Sequence, residues 1–218
     1  MARKTGNETV SLTDCLKQKA LEWMKHHGFA GHDETHMVRV HGLCARIGRK
    51  EKADLLVVEA AALLHDVGRS YERENPGIDH AEVSAKIAEK LLGECRYPEE
   101  KASQILYAIR VHRFSQHRTP GTLEAKILQD ADRIDISGAI GVAMAFAYGG
   151  AKNMELYDTA DPLAKNRELD DDRYVLDHFQ KKLLKLGETI HTETGRQLVK
   201  RRQKYLASFV TQFIREIG

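Results

Sequence analysis

The chain has 218 residues, and its 34 lysines and arginines nearly balance its 32 aspartates and glutamates, which leaves a net charge of +2 at pH 7. A chain of this length can bury the core of one domain. The balanced charge excludes an electrostatic field strong enough to collect nucleic acid or an anionic membrane by itself, so we expect neither as a partner.

The N-terminal segment and the cysteines indicate the compartment. Residues 1–9 are polar and contain no apolar signal core, and the least polar stretch, residues 136–151, is short for a membrane span of about 20 residues. Cys15, Cys44 and Cys95 are far apart in sequence, form no C-x-x-C pair and leave an odd count. These features predict a cytoplasmic protein whose cysteines stay reduced rather than forming a disulfide framework.

The first third of the chain predicts three helices. Few prolines and aromatic residues, many helix-forming residues and no long period-two alternation favour a nearly all-α fold. Ser11 can cap a first helix that ends near position 27, and Asp33 can cap a second, ending near position 50, with His36 on its apolar face. The third helix, residues 53–67, is apolar nearly all round, as expected for a central helix, and Gly68 can end it.

The fourth and fifth predicted helices each carry a histidine on their inward side. Asp79 and Glu82 have the spacing of a capping box, and the helix that they begin directs His80 toward the core. The next helix begins near Pro98 and carries His112 on its apolar stripe. Both histidines are therefore candidates for a site in the interior.

The sixth predicted helix begins near Thr122 and carries several aspartates. Each residue of a helix turns by about 100°, so Asp132 and Asp135 share a face whereas Asp130 points well away from it. This geometry favours Asp132 over Asp130 as a metal ligand. Asp130 and Asp135 could instead orient ligand imidazoles or form ordinary salt bridges.

The C-terminal part of the chain predicts a long loop followed by helices. Residues 149–172 are rich in Gly, Asn and Asp, and a gap of this length inside a domain is usually disordered or functional, so we expect a lid. Residues 173–218 predict two long amphipathic helices, the second of which can begin with a capping box formed by Thr194 and Gln197.

His65 and Asp66 form a doublet at the end of an apolar run, residues 60–64. Burying an ionised carboxylate beside an imidazole in such surroundings is costly unless both have a partner, and a divalent cation is a good partner for both. His36 lies upstream on an apolar stripe, and Asp132 follows downstream in an Ala-Asp-Arg context. Each residue alone could equally be a hydrogen-bonded core residue, but together the four predict a metal centre.

The order of these residues and their flanks resembles the HD superfamily of metal-dependent phosphohydrolases. The match rests on His36 within His-Met-Val-Arg-Val, the doublet before Val-Gly-Arg, and Asp132 within Gln-Asp-Ala-Asp-Arg, and it covers most of residues 30–150. The resemblance implies an all-α fold, an HD-domain helical bundle with extra C-terminal helices. We expect one domain over residues 1–218 with its metal-binding core at about residues 30–150.

The resemblance assigns the main metal to His36, His65, Asp66 and Asp132. Imidazoles and carboxylates suit Mn, Fe, Co, Ni, Zn or Mg, and ligand type alone does not choose among these divalent ions. In HD proteins that carry two metals, further histidines complete a second site and the doublet aspartate is the bridge. His80 and His112 are similar to those histidines, so we expect one or two divalent ions per chain.

The activity that the resemblance implies is hydrolysis of a phosphomonoester or phosphoanhydride, with a nucleotide as the substrate class, through a metal-activated water. Asp66 and Arg69 are the expected catalytic residues. Arg69 stands where some HD nucleotidases carry a glutamate, which leaves the general acid unassigned, and it resembles the terminal cation of His-Asp-Ile-Gly-Lys branches, which meets a substrate phosphate. Arg133 is a second phosphate-binding candidate, although Arg39 and Arg133 could instead pair with acidic neighbours.

Two other functions fit the same residues. Some HD proteins with a similar ligand order are di-iron oxygenases, and iron content together with oxygen uptake would identify one. A non-catalytic sensor would bind a nucleotide or a metal without turnover and signal through its C-terminal helices. The apolar stripes of those helices would also suit a homodimer.

Overall fold

The computed structural model describes residues 11–27, 34–113 and 119–218, and within these ranges the fold is built from helices. The all-α prediction is confirmed. An isolated bridge between Glu155 and Tyr174 is the extended pairing recorded among the described residues. The helices are α1 (Leu12–His27), α2 (Glu34–Glu51), α3 (Leu55–Leu64), α4 (Arg69–Glu74), α5 (His80–Glu94), α6 (Glu99–Val111), α7 (Leu123–Asp135), α8 (Gly138–Ala151), α9 (Val175–Lys181), a 3-10 helix (Leu183–Thr189) and α10 (Glu193–Ile217).

Several helices begin where short polar side chains cap them. The Ser11 hydroxyl accepts a hydrogen bond from the backbone N–H of residue 14, Asp79 accepts one from residue 81, and Thr122 accepts one from residue 125. Each cap satisfies a backbone donor that the first helical turn leaves without an intrahelical acceptor. The caps predicted at Ser11 and Asp79 are confirmed, Thr122 caps the helix that was predicted to begin near it, and the predicted cap Asp33 lies outside the described residues.

Helix α3 is the centre of the bundle. Its residues from Val57 to Leu64, apart from the half-buried Glu59, are at most 1% exposed, and α1, α2, α5, α6 and α7 all pack against it. An apolar surface on every side is what such a position requires. Helix α3 ends at Leu64, so the doublet follows its last turn instead of lying within it, at the middle of the protein.

The C-terminal part differs from the prediction at two boundaries. Helix α8 continues to Ala151, so the connecting loop comprises residues 152–174, and its function as a lid stays a prediction. The first predicted C-terminal helix is broken, because Lys182, with φ −126° and ψ −60°, separates α9 from the 3-10 helix.

Helix α10 begins two residues earlier than predicted. The hydroxyl of Thr192 accepts a hydrogen bond from the backbone N–H of Gly195 at 3.0 Å and so caps the helix. The predicted cap, Thr194, lies inside the first turn, where its backbone N–H donates to Glu51 at 2.8 Å. A tertiary contact therefore occupies the residue that the local sequence pattern favoured as a cap.

A disulfide joins Cys15 on α1 to Cys95 at the end of α5, across 80 residues of sequence. The prediction of unpaired cysteines is therefore wrong for these two residues, whereas Cys44 is a buried free thiol. The physical reason is that α1 packs against α5, which brings together cysteines that sequence spacing alone keeps far apart.

Among the described residues, no single helix is long and apolar enough to cross a membrane. Helices α7 and α8 together have the length and apolar composition of a membrane span, but they are bent by 67° at the break between them.

Candidate metal centre

Six potential metal ligands, supplied by five helices, lie close together in the interior. Helix α2 supplies His36, the end of α3 supplies the doublet His65 and Asp66, α5 supplies its first residue, and α6 and α7 supply one residue each near their C-terminal ends. The ligand atoms form two groups, each with its members within 4.8 Å of one another. The first group is His36, His65 and Asp132, and the second group is Asp66, His80 and His112.

The first group is compact. Nε2 of His36 lies 3.2 Å from Nε2 of His65 and 3.5 Å from a carboxylate oxygen of Asp132, which is also 3.9 Å from Nε2 of His65. Both imidazoles are 1% exposed, whereas the Asp132 side chain is 25% exposed. The group therefore has a buried histidine side and one carboxylate on the side open to solvent.

Asp66 lies between the two groups. Its Oδ2 atom faces the first group, 3.8 Å from Nε2 of His36 and 3.9 Å from Nε2 of His65. Its Oδ1 atom faces the second group, 3.4 Å from Nε2 of His80 and 3.5 Å from Nε2 of His112. One carboxylate is thus directed at both groups, as a bridging ligand would be.

The proton positions follow from the partners of the four imidazoles. Each Nδ1 atom lies 2.6–2.9 Å from a carboxylate or carbonyl oxygen, which accepts hydrogen bonds but does not donate them. These oxygens belong to Asp135 for His36, to the Ala62 carbonyl for His65, to Glu72 for His80 and to the Ile109 carbonyl for His112. Nδ1 therefore carries the proton and donates it. In the neutral rings, each Nε2 atom presents a lone pair toward its group.

This donor set fits divalent cations. Ligand atoms about 2.1 Å from one metal are about 3.0 Å apart in octahedral and about 3.4 Å apart in tetrahedral coordination. The Nε2 atoms of His36 and His65 are 3.2 Å apart, and those of His80 and His112 are 3.4 Å apart. Two facing lone pairs at such distances repel unless a proton or a cation lies between them, and the carboxylates supply the compensating negative charge.

Burial sets the charge of two of the rings. It lowers the pKa of His65 to about 4 and the pKa of His80 to about 4, so both rings are neutral at pH 7. Burial also opposes the charged forms of His36 and His112, but neighbouring carboxylates outweigh it and raise both pKa values. The main contribution comes from the hydrogen-bonded carboxylate, which is Asp135 for His36 and Asp66 for His112. A bound cation would favour the neutral form of all four rings.

A buried ion pair orients the first group. Asp135 is fully buried and accepts the Nδ1 proton of His36, and Arg39 binds the same carboxylate through two nitrogens at 2.8 and 2.9 Å. Burial opposes the charge of Asp135, yet these hydrogen bonds hold the pKa of its carboxyl below the usual range. Such support fixes the tautomer and the orientation of a ligating imidazole. The expected orienting role of Asp135 thus matches its contacts.

Asp130 neither orients an imidazole nor forms the salt bridges that were expected of it in its contacts with the described residues, but binds backbone N–H groups. Its buried carboxylate accepts hydrogen bonds from the backbone N–H of His191, the backbone N–H of Thr192 and the Thr192 hydroxyl, at 2.7–2.8 Å. Among the described residues its contacts include neither a candidate ligand imidazole nor a surface salt bridge, and they fix the segment that leads into α10. The expectation that Asp132 and not Asp130 faces the ligands agrees with this placement.

The two arginines proposed to bind phosphate are placed differently. Arg69 reaches the second group, with Nη1 2.9 Å from Nε2 of His80, and its side chain is 30% exposed. Arg133 is 7% exposed and donates to the Thr189 carbonyl, with Nη1 3.3 Å from Nε2 of His191. These contacts favour a phosphate role for Arg69 and a structural role for Arg133.

Sequence reasoning missed two residues beside the second group. Glu72 on α4 lies 2.7 Å from Nδ1 of His80, and Arg113, the residue after His112, lies 2.5 Å from the same carboxylate. The adjacency of Arg113 to a candidate ligand was a usable signal. Glu72 carried none, since its position depends on how α4 packs.

The fold and these residues define an all-α protein with a buried cluster of histidines and aspartates suited to divalent metals. The HD domain family matches residues 34–137. YpgQ of Bacillus subtilis is 34% identical over 192 residues, which cover 86% of this chain and 85% of YpgQ. The chain belongs to the HD superfamily of hydrolases.

Solved structures agree over nearly the whole chain. The crystal structure of Bacillus subtilis YpgQ in complex with ADP has a TM-score of 0.73 at 30% identity and covers 94% of each chain. An HD-superfamily hydrolase from Bacillus thuringiensis has a TM-score of 0.72 at 33% identity and covers 94% of this chain and 97% of its own. The similarity therefore includes α8, α9 and α10, beyond the segment that the HD domain family matches.

Proposed function

We propose that this protein is a metal-dependent phosphohydrolase that acts on a phosphomonoester or phosphoanhydride, with a nucleotide as the substrate. The observation that carries the proposal is the position of Asp66, whose two oxygens face two groups of imidazoles. The crystal structure of YpgQ with ADP supports a nucleotide as the ligand class.

In this proposal the first group holds one divalent cation and the second group holds another, with Asp66 as their shared ligand. The metal is one of Mn, Fe, Co, Ni, Zn and Mg. Bound cations would supply an activated water and withdraw charge from the phosphoryl oxygens.

The protein's own residues supply position, charge and exclusion of solvent. Asp135 and the carbonyl of Ala62 keep the Nδ1 protons of His36 and His65, so that both Nε2 lone pairs point into the site. The burial of both rings prevents water from competing for those lone pairs. Arg69 is at the more open side, where its planar guanidinium can bind a phosphate through two nitrogens.

A di-iron oxygenase is the second candidate, because four imidazoles with a bridging carboxylate also suit iron. Its signature would be iron retained after purification, visible absorption and oxygen consumption. Nucleotide binding without turnover under any metal would indicate the sensor.

The test is release of phosphate or pyrophosphate from a panel of nucleotides and small phosphoesters, with each of the six metals. We expect turnover with at least one metal, and its loss in Asp66→Asn together with a lower metal content. The matched control is Asp54→Asn, at the opposite end of α3, where the residue caps the helix and asparagine caps equally well. Wild-type turnover by Asp66→Asn, or absence of turnover with every metal, would refute the proposal.

A further inference from the structure

We propose that Glu72 is the positioning residue of the second group, and that its hydrogen bond to His80 sets the affinity of this group for its cation. The inference rests on the proposed function, because it concerns the second of two cations. Glu72 accepts the Nδ1 proton of His80 at 2.7 Å, which turns the Nε2 atom of that ring toward Asp66 and His112. A carboxylate on the outer nitrogen fixes the tautomer of a ligating imidazole and raises its basicity.

The path of the chain after the doublet brings Glu72 to this position. The backbone N–H of Gly68 donates to the Ser84 hydroxyl at 2.9 Å, and a Cβ atom at Gly68 would lie 2.6 Å from the Ser84 nitrogen and 3.0 Å from the His80 carbonyl. Only glycine allows this close approach of α4 to α5. Helix α4 therefore begins beside His80, and one turn later its side chain at position 72 reaches the imidazole.

Arg113 holds Glu72 in place and connects it to both histidines of the group. Its guanidinium lies 2.5 Å from Glu72 and 3.2 Å from Asp79, the residue that caps α5 immediately before His80. Arg113 also follows His112 directly in sequence. A displacement of Glu72 would therefore affect a network that positions both imidazoles of the second group.

The carboxylate that orients a histidine of the first group is more deeply buried than Glu72. Asp135 is 0% exposed and is bound by Arg39, whereas the Glu72 side chain is 23% exposed and lies on a helix of six residues. The two supporting carboxylates lie on different helices, and neither contacts the imidazole that the other orients. A change at one of these carboxylates should therefore alter the affinity of its own group more than that of the other group, which shares Asp66 with it.

The experiment titrates metal-free full-length protein with Mn²⁺, and separately with Co²⁺, and measures stoichiometry and affinity by calorimetry and by equilibrium dialysis with elemental analysis. We expect wild type to bind two ions. Glu72→Gln should weaken one binding event by about 10- to 100-fold, the typical effect of removing a partner that orients a ligating imidazole, and should affect the other event much less. Asp135→Asn should weaken the other event, and Glu74→Gln, an exposed glutamate on the same short helix, should weaken neither.

A second variant covers the case in which Glu72→Gln does not fold. Arg113→Lys keeps the charge but does not hold both acidic partners in one planar fork, so it should weaken the same binding event by a smaller factor. Two wild-type affinities in Glu72→Gln, or equal weakening of both events, would overturn the assignment of Glu72 while leaving the hydrolase proposal intact. Failure of wild type to bind a second ion would overturn the inference even where hydrolysis is observed, whereas loss of all turnover with normal metal binding would refute only the hydrolase.

Discussion

Removing the disulfide between Cys15 and Cys95 should lower the stability of the protein markedly. The bridge closes a loop across 80 residues and ties α1 to the end of α5. Its effect acts mainly on the unfolded chain, whose conformational freedom the cross-link restricts. The perturbation is Cys95→Ser, or reduction of the wild-type protein.

The loop length gives the magnitude. The chain-entropy relation, −2.1 − 1.5R ln n, yields about 15 cal/mol/K for this loop, or about 4.5 kcal/mol at 25 °C. This value is an upper figure, since engineered bridges often contribute less and the reduced unfolded chain can retain structure. In a chain of this size, 1 kcal/mol corresponds to about 2–4 °C in Tm, so we expect a decrease of up to roughly 9–18 °C.

The assay is thermal unfolding followed by circular dichroism, with and without a dithiol reductant. A chelator is present throughout, so that the reductant does not act through bound metal. Denatured oxidised protein should present one titratable thiol, Cys44, and reduced protein should present three. The reductant should leave Cys95→Ser unchanged. Three thiols without reductant would refute the pairing, and one thiol with an unchanged Tm after reduction would refute the entropic reasoning.

Three further predictions concern stability and are measured by urea unfolding. Gly68→Ala should lower the free energy of unfolding by about 1–3 kcal/mol, because its Cβ would overlap the backbone of Ser84, and an unchanged value would contradict that contact. Arg167→Met should lower the free energy of unfolding, because the fully buried Asp177 keeps the backbone N–H of Asp170 but loses the guanidinium that binds it at 2.5 and 2.9 Å, and the double variant with Asp177→Asn should recover part of the loss. Burial opposes the charge of Asp171, but the ammonium groups of two lysines hold the pKa of its carboxyl well below the usual value of about 3.9. The ionised carboxyl therefore stabilises the protein fully above about pH 3.9, and this contribution is lost as the pH falls through the lower pKa of the folded state. Asp171→Asn should therefore destabilise at pH 7 and flatten the loss of stability below pH 4, and parallel pH profiles would contradict this.

Helical periodicity was sufficient to separate Asp132 from Asp130 as the residue that faces the candidate ligands. A rotation of about 100° per residue separates Asp132 from Asp130, and the structure places the first beside the imidazoles and the second against the start of α10. The apolar surroundings of the doublet likewise predicted its central position. These inferences succeeded because they depend on local geometry, which the sequence pattern expresses directly.

The features that the sequence did not predict depend on contacts between distant segments. The disulfide requires α1 to pack on α5, and the position of Glu72 requires the close approach that Gly68 permits. The break at Lys182 interrupts an apolar stripe that is continuous in the sequence. Local propensity is a weak guide wherever tertiary packing decides the outcome.

The contacts of Asp130 connect the helix that carries Asp132 to the C-terminal part of the chain. Three donors from His191 and Thr192 satisfy this buried carboxylate, and Arg133 on the same helix donates to the carbonyl of Thr189. A chain cut after α8 would leave a buried negative charge and a guanidinium without these partners, inside the helix that carries Asp132. We therefore expect a fragment that ends after α8 to be less stable than the full chain and to position Asp132 less firmly, because the C-terminal part supplies these partners.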